Sequence, residues 1–297
     1  MFTLFTAALT VLYFAVGSTA PGLDKQPVLA PALPVPAGAP GTPVPEAVPV
    51  PEAPTVPVAA AATEVGVPFP HPMIVEVLFA VPGGDTGDAN GDGKRHVSGD
   101  EFVELTNPHD KPIQLRGYKL TDSNPADKGQ LRFVFPVLEI EPGETIVVFN
   151  GFQCSWFGPV GDEKAAAMAR NDRLGNAWVF TMKAASQYCA FANGGDHVLL
   201  ASPDGSAVHR VSWGEPKDRS AFDAIVPLLD DAAMQTSKSS VQRDSLSRVA
   251  SFRAHTDLPY DLGGDMPFSP GVWKALPEPK AKRQVEGTEE SESGKPK

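Results

Sequence analysis

The sequence predicts an all-β fold, a β-sandwich, for the central part of the chain. Three observations predict it. Apolar residues recur with a period of two, rather than 3.6, through most of residues 73–213. The alternating runs are short, and clusters of Gly, Pro, Asn and Asp separate them at close spacing. The central part, residues 71–275, is also long enough for one such domain with its own core.

The first two strands are predicted at MIVEVLFA (residues 73–80) and EFVELT (residues 101–106), where alternate apolar side chains share one face. If these strands pair, Glu76 and Glu104 face each other. Paired carboxylates can support acid–base catalysis, but they also occur as structural residues within strands. Both interpretations are open from the residues alone.

The following strands are separated by recognisable turns. Short strands are predicted at IQL, YKLTD and LRFVFP, and Pro142-Gly143 forms the turn before the strand TIVVFN. Asp204-Gly205 lies between two alternating runs and predicts a hairpin. Residues 161–172, rich in Ala and Lys, interrupt the pattern and predict a short helical insert. Residues 214–239 show no clear period and predict a long surface excursion.

The two ends of the chain differ from the centre. Residues 1–20 are apolar or small and carry no charged side chain, which is typical of a signal peptide or an N-terminal anchor. Residues 21–70 hold 14 of the chain's 31 prolines and predict a Pro-rich disordered linker, either a spacer or a leader without that role. Residues 276–297 predict a disordered charged tail.

Composition limits the classes of partner. The net charge of −11 repels phosphate backbones, so we expect no nucleic-acid binding. The six histidines do not show the spacing of a zinc site, and neither a nucleophile elbow nor a phosphate loop is present. Contact with a membrane is expected only through residues 1–20, if they are not cleaved. The expected partner is an unknown protein or a surface polymer.

The stretch DANGDGKRHVSGDE resembles a calcium-binding loop. Asp88, Asn90 and Asp92 fall at the first, third and fifth positions of such a loop, Gly93 falls at the sixth, and the carbonyl of Lys94 falls at the seventh. This spacing exceeds what a turn requires, and it predicts a structural Ca²⁺ site. The alternative is a polar turn without an ion, because the same residue types favour turns.

The second half of this loop departs from the calcium pattern. Position twelve is Gly99, which has no side-chain oxygen. A two-residue insertion would bring Glu101 to the place of the bidentate carboxylate, with Asp100 beside it. The complete predicted set of metal ligands is therefore Asp88, Asn90, Asp92, Lys94, Asp100 and Glu101.

The chain has two cysteines, Cys154 and Cys189, and both lie in the central part. In an exported protein they could pair, whereas in the cytosol they would remain free thiols. Because residues 1–20 favour export, we predict a Cys154–Cys189 disulfide that encloses the Ala-rich insert.

The order of several motifs resembles the lamin tail domain family, in particular its exported bacterial members. The motifs are IVEV, DEFVELTN, IQLRGYKLTD, FVFP, LEIEPGETIVV, NGGDHVLLASPDGSAVHRVSWG, SVQRDS and FSPG. The resemblance covers about residues 73–271, with two interruptions. It implies an immunoglobulin-like β-sandwich that binds or assembles and carries no catalytic machinery.

Two functions are therefore expected. The first is a non-catalytic, exported module, whether secreted, periplasmic or on the cell surface, that serves binding, adhesion or extracellular assembly and is stabilised by calcium. The second is an accessory subunit or remnant of an extracellular hydrolase system of the nuclease or phosphatase type. An exposed apolar patch would favour the first function. A pocket of perturbed carboxylates away from residues 85–101 would favour the second.

Overall fold

The computed structural model of the protein describes residues 64–166, 168–215, 228–232, 239–259 and 267–276. The leader at residues 1–20, most of the predicted linker, all but the first residue of the predicted tail and most of the 214–239 excursion lie outside these ranges. Within them, no helix is long and apolar enough to cross a membrane.

The described residues form an all-β fold, as predicted. In chain order its strands are β1 (Met73–Leu78), β2 (Phe102–Thr106), β3 (Ile113–Gln114), β4 (Lys119–Thr121), β5 (Arg132–Val134), β6 (Glu139–Ile140), β7 (Thr145–Phe149), β8 (Arg170–Asn171), β9 (Ala177–Thr181), β10 (Gly195–Ala201), β11 (Ala207–Gly214), β12 (Leu228–Ala232), β13 (Val241–Arg243) and β14 (Phe252–Ala254). Single 3₁₀ turns occur at Asp85–Gly87, Asp172–Leu174 and His255–Asp257.

Two sheets make up the sandwich in the described part of the chain. The larger has the strand order β14-β13-β1-β2-β7-β9-β8, and the smaller has the order β12-β11-β10-β4-β5, while β3 and β6 pair separately. Most neighbours are antiparallel, whereas β7–β9 and β11–β12 are parallel. This arrangement is the predicted immunoglobulin-like β-sandwich.

The larger sheet is buried on both faces. On its inner face, Val103 and Leu105 of β2 belong to the core between the sheets, in line with the period-two pattern. On its outer face, Phe102 belongs to a second apolar cluster that includes Phe149 and Phe268. Segments outside the sheets therefore cover a face that an ordinary half-exposed sheet would leave to solvent.

The predicted helical insert at 161–172 is wrong for the described residues of that segment. Gly161 pairs with Phe180 of β9, and at the other end of the segment β8 pairs with β9 as well. Asn171 then accepts a hydrogen bond from the backbone N–H of Arg173 and caps a 3₁₀ turn. Both ends of the insert are thus tied to one strand, and this pairing outweighs the helix propensity of alanine.

The folded part begins earlier than the sequence predicted. Val65 pairs with Ser247, and the backbone N–H of Gly66 donates to the carbonyl of Leu246 at 2.9 Å. Val67 is buried in the main core. The linker predicted over residues 21–70 therefore extends too far, because its last residues pack on the domain.

Candidate functional site

The long connections of the sandwich meet at one end, which we call the loop end. It comprises residues 79–101, 122–131, 150–158 and 182–194, since β1, β4, β7 and β9 finish there. Phe79 stacks on Trp213 with ring centroids 4.2 Å apart, so both sheets terminate together. Short connections lie at the opposite end, including the predicted Asp204-Gly205 turn.

Glu101 ties three of these connections together. Its side chain is buried, and Oε2 accepts hydrogen bonds from Asn150 Nδ2 at 3.2 Å and from the Phe191 backbone N–H at 3.1 Å. Asn150 Nδ2 also donates to the carbonyl of Cys189 at 2.8 Å. Burial, together with the nearby charge of Asp196, raises the pKa of Glu101 well above its usual value.

Asp196 joins the remaining connection to the same end. Its Oδ1 accepts from the backbone N–H groups of Ser123 at 3.1 Å and His197 at 2.8 Å, and its Oδ2 accepts from Ala192 N–H at 2.9 Å. Asp196 is not among the candidate residues that the sequence predicts. The available signal was an Asp directly after Gly-Gly at the start of a strand, a place where a carboxylate can bind loop N–H groups.

The predicted calcium loop contains the expected turn. Asp88 Oδ1 accepts from the Asp92 backbone N–H at 3.1 Å, and Oδ2 accepts from the Gly93 N–H at 2.8 Å. Asn90 Oδ1 accepts from the same Asp92 N–H at 2.9 Å. Gly91 and Gly93 both have positive φ, at 68° and 87°. Asp88, Asn90 and Asp92 therefore surround one tight turn, as their spacing predicts.

Asp92 and Asp100 connect this turn to its surroundings. Asp92 Oδ1 accepts from the backbone N–H of exposed Lys94 at 2.9 Å, and Oδ2 accepts from Ser155 N–H at 2.6 Å. Asp100 is buried and accepts from the backbone N–H groups of Asn90 and His96. Burial raises the pKa of Asp100 to about 6, and the charges of Asp88 and Asp92 add to the shift.

The structure corrects part of the predicted ligand set. Glu101 points away from the turn towards Asn150 and Phe191, so we withdraw it as a ligand. Among the described residues, no group of three or more His, Cys, Asp or Glu side chains is arranged to hold a metal ion. Gly99, the departure at position twelve, has a packing role, because a Cβ there would lie 2.4 Å from the carbonyl oxygen of Phe152.

The predicted disulfide is absent from the structure, in which Cys154 and Cys189 are both free thiols. Cys154 Sγ instead accepts from Asn90 Nδ2 at 3.0 Å and lies against the calcium-type loop. Burial raises the pKa of this thiol to about 12, with contributions from Asp100 and Asp92. Cys189 contributes its backbone carbonyl to Asn150, so each cysteine has a separate local role.

Three large apolar side chains are exposed on the connections of the loop end. The exposed fractions are 57% for Val97, 50% for Phe157 and 80% for Tyr188. The connections that carry them are held by the buried hydrogen bonds of Glu101 and Asp196. The loop end therefore combines a fixed backbone with accessible apolar and aromatic groups, as binding loops on a rigid scaffold do.

Comparison with known protein families gives a match over the central part of the chain. The model of the Lamin Tail Domain family matches residues 71–215. The matched range contains β1 to β11 and all four connections of the loop end, and it ends before β12, β13 and β14. No curated protein matches the chain.

Proposed function

Because residues 71–215 match the model of the Lamin Tail Domain family, an immunoglobulin-like family, we propose that the protein is a non-catalytic binding module that engages its partner through the loop end. The observation that carries this proposal is the meeting of four connections at one end of the sandwich. Exposed Val97, Phe157 and Tyr188 supply apolar contact area there. The partner class is a protein or a surface polymer.

The candidate acid–base pair, Glu76 and Glu104, is not accessible for catalysis. Glu76 and Glu104 are paired in register, as predicted, but both are fully buried. Ser269 and Gly271 of a covering segment donate hydrogen bonds to them. A substrate has no access to these carboxylates, and an acid–base residue must reach the proton it transfers. The buried pair therefore gives no support to the hydrolase alternative.

The proposal includes export, because residues 1–20 are apolar and a proline-rich stretch follows them. The module would then act in the periplasm, in the medium or at the cell surface. Fusing residues 1–25 to a reporter enzyme that is active only outside the cytoplasm tests this. Reporter activity is the expected result, and a fusion that remains inactive in the cytoplasm contradicts export.

Partner capture tests the binding surface. The measurement is the amount of partner that immobilised protein retains from an extract of the cell surface. Wild type is compared with Tyr188→Ser and Val97→Ser. Both variants should lose most of the retained partner, because each removes an exposed apolar contact from the loop end. Val249→Ser is the matched control, since Val249 is 87% exposed but lies in the turn beside Val65, away from the loop end. Equal retention by all three variants would contradict the proposal.

Calcium binding by the 85–101 loop is part of the same proposal. The Asp-x-Asn-x-Asp-Gly spacing and the tight turn formed by Asp88, Asn90 and Asp92 support it. Asp100 would act by holding the turn closed, and the Lys94 carbonyl would add a backbone ligand. Because these side chains do not already form a cluster, the ion would have to draw them together. Weak affinity is the expected consequence, with a dissociation constant on the order of 10⁻⁴–10⁻³ M.

Thermal unfolding tests calcium directly. At about 10 mM calcium the free energy of unfolding should rise by about 1.4–2.7 kcal/mol, and Tm should rise by roughly 3–11 °C. Asp92→Ala should remove this response, because it deletes a ligand oxygen. Asp110→Ala, in an exposed turn, should respond as the wild type does. Wild-type protein that melts at the same temperature in calcium and in excess chelator would rule the ion out.

A further inference from the structure

Glu76 and Glu104 lie side by side on the outer face of the larger sheet. They are register partners on β1 and β2, and both carboxyl groups are fully buried. Register partners in an antiparallel pair have their Cβ atoms about 4.5–5.5 Å apart, so the two acidic groups share one site. Residues 267–276, which we call the exit segment, cover them.

The two carboxyl groups have unequal hydrogen bonding. Glu76 Oε1 accepts from Ser240 Oγ at 2.6 Å and from the Ser269 backbone N–H at 3.0 Å, and Oε2 accepts from Ser269 Oγ at 3.0 Å. Glu104 Oε2 accepts from the Gly271 N–H at 2.6 Å, whereas its Oε1 has no hydrogen-bond partner among the described residues. The backbone N–H of Trp273 also favours the charged form of Glu104. Glu76, with three donors, is still the better equipped of the two to carry a negative charge.

Among the described residues, no recorded ion pair joins a basic side chain to Glu76 or Glu104. Arg243 is on neighbouring β13, but its guanidinium pairs with Asp230. Lys274 belongs to the exit segment, yet it is exposed and only its carbonyl bonds Gln242. Burial, followed by the charge of Glu76, raises the pKa of Glu104 well above its usual value. Two adjacent buried carboxylates without a cation favour the state in which one is protonated.

One turn of the exit segment, Ser269 to Val272, donates hydrogen bonds to both carboxyl groups. The Val272 backbone N–H donates to the Ser269 carbonyl at 2.9 Å, and the resulting turn presents Ser269 and Gly271 to the two carboxyl groups. Other contacts anchor the flanks of the segment: Phe268 packs edge-on against Phe102, and Trp273 Nε1 donates to the Arg243 carbonyl at 3.0 Å. Opening the turn would expose the apolar cluster on the outer face, which includes Phe102.

We propose that Glu76 and Glu104 hold one proton between them and act as a proton-dependent latch for the exit segment. With the proton in place, the pair carries one negative charge and binds the N–H and hydroxyl donors of the turn. When the proton is lost to solvent, two buried negative charges repel each other beneath the turn, and the exit segment opens. This inference is independent of the function proposed for the loop end.

The direction of the pH effect follows from the raised pKa of Glu104. A carboxyl group whose pKa is higher in the closed state than in the open state favours closure at low pH. That contribution is fully present below the ordinary value of 4.5 and is lost as pH rises through the pKa of the buried group. Across this window the closed-to-open ratio falls by up to about tenfold per pH unit.

Hydrogen exchange in the full chain tests the latch. Exchange of the exit segment, corrected for the intrinsic dependence on pH, should speed up by about tenfold or more between roughly pH 5 and pH 9. Glu104→Gln should remove this increase, because its amide remains neutral and its oxygen still accepts from Gly271. Glu141→Gln, which changes an exposed turn residue, should keep the wild-type increase. If wild type and Glu104→Gln show the same pH dependence, the latch is excluded.

Infrared spectroscopy provides a second measurement that does not depend on opening. The wild-type minus Glu104→Gln difference spectrum at neutral pH should contain the band of a protonated carboxyl group. If the difference contains only carboxylate bands, the pair holds no proton and the proposal fails. Repeating the exchange experiment with about 10 mM calcium, in the range where weak sites fill, separates a proton from a bound cation. The calcium arm uses Asp92→Ala, which lacks the proposed loop site and its effect on global stability. In that variant calcium should leave exchange of the exit segment unchanged, and slower exchange in calcium would overturn the proposal.

Discussion

His209 uses both ring nitrogens in a network that links the two sheets, directly through Nδ1 and through Asp230 for Nε2. On β11, its Nδ1 accepts from the backbone N–H of Ile74 on β1 at 3.1 Å, so this nitrogen carries no proton. Nε2 then donates to Asp230 Oδ2 on β12 at 2.7 Å. Arg243, on β13 of the larger sheet, pairs with the same carboxylate. The network crosses the core and requires a neutral imidazole.

The pKa of His209 predicts an acid-dependent loss of stability. Burial lowers this pKa, although Asp230 opposes the shift. A histidine with a lowered folded-state pKa stabilises the fold above its unfolded value of about 6.5, and this contribution is lost as pH falls below that value. His209→Gln should lower the free energy of unfolding by about 1–3 kcal/mol at pH 7.5. It should also reduce the further loss between about pH 6.5 and pH 5.

Urea unfolding at several pH values measures both effects. His109→Gln is the control, because His109 lies in a turn outside the network, and it should keep the wild-type pH dependence. If the free energy of unfolding of His209→Gln falls as much towards acid as that of wild type, groups other than His209 cause the loss. The acidic residues of the loop end cannot account for this acid-dependent loss of stability. The pKa values of Asp100 and Asp122, each raised to about 6 mainly by burial, stabilise the fold towards acid, which is the opposite sign.

At the scale of elements, the turn of the exit segment (Ser269 to Val272) and the 3₁₀ turn Asp172–Leu174 pack backbone against backbone. Gly271 has φ of 86°, and a Cβ there would lie 2.0 Å from the Leu174 carbonyl oxygen. Gly175 has φ of 61°, and a Cβ there would lie 2.2 Å from the Gly271 carbonyl oxygen. Each glycine therefore meets two requirements at once, a left-handed conformation and the absence of a side chain.

Gly271→Ala should separate these two elements. The alanine Cβ would meet backbone atoms that cannot rotate away, so we expect a loss of about 3 kcal/mol or more in the free energy of unfolding. Gly205→Ala is the matched control, because its φ is 91° but nothing lies within 4 Å of the position of the Cβ. That variant should lose only about 1 kcal/mol, from conformational strain. Equal losses in the two variants would show that φ alone, and not close packing, requires Gly271.

At the scale of the whole molecule, the folded unit is larger than the range that matches the family model. The match ends at residue 215. Beyond it, β13 pairs with β1 near the middle of the larger sheet, and β12 pairs with β11 at the edge of the smaller one. Phe268 of the exit segment completes the outer apolar cluster. Removing these parts would leave β1 unpaired on one side and the outer face uncovered, which is unfavourable for an apolar sheet.

Two fragments test this boundary. Residues 64–276 should melt cooperatively, within about 3 °C of the full chain, because they contain every described strand. Residues 71–215 should show no cooperative transition, since they lack the strand that pairs with β1 and the segment that covers Phe102. Circular dichroism melting distinguishes the two. A cooperative transition in the shorter fragment would show that the family-matched range folds alone.

The sequence by itself determined the class of fold and many of its turns. The period-two alternation placed Val103 and Leu105 on the inner face, because successive side chains of a strand point to opposite faces whatever their partners are. Asp204-Gly205 and Pro142-Gly143 marked turns through backbone preferences that belong to those residues. The order of the motifs pointed to the family whose model matches residues 71–215, since each motif reports a local structural requirement.

Only the tertiary structure decided which groups meet. It turned Glu101 towards Asn150 instead of the calcium-type loop, left Cys154 and Cys189 as free thiols, and paired both ends of the Ala-rich insert with β9. It also placed the exit segment over Glu76 and Glu104. Each outcome depends on contacts between residues far apart in the chain. The energies of these contacts outweigh local propensity, and the spacing of neighbouring residues does not predict them.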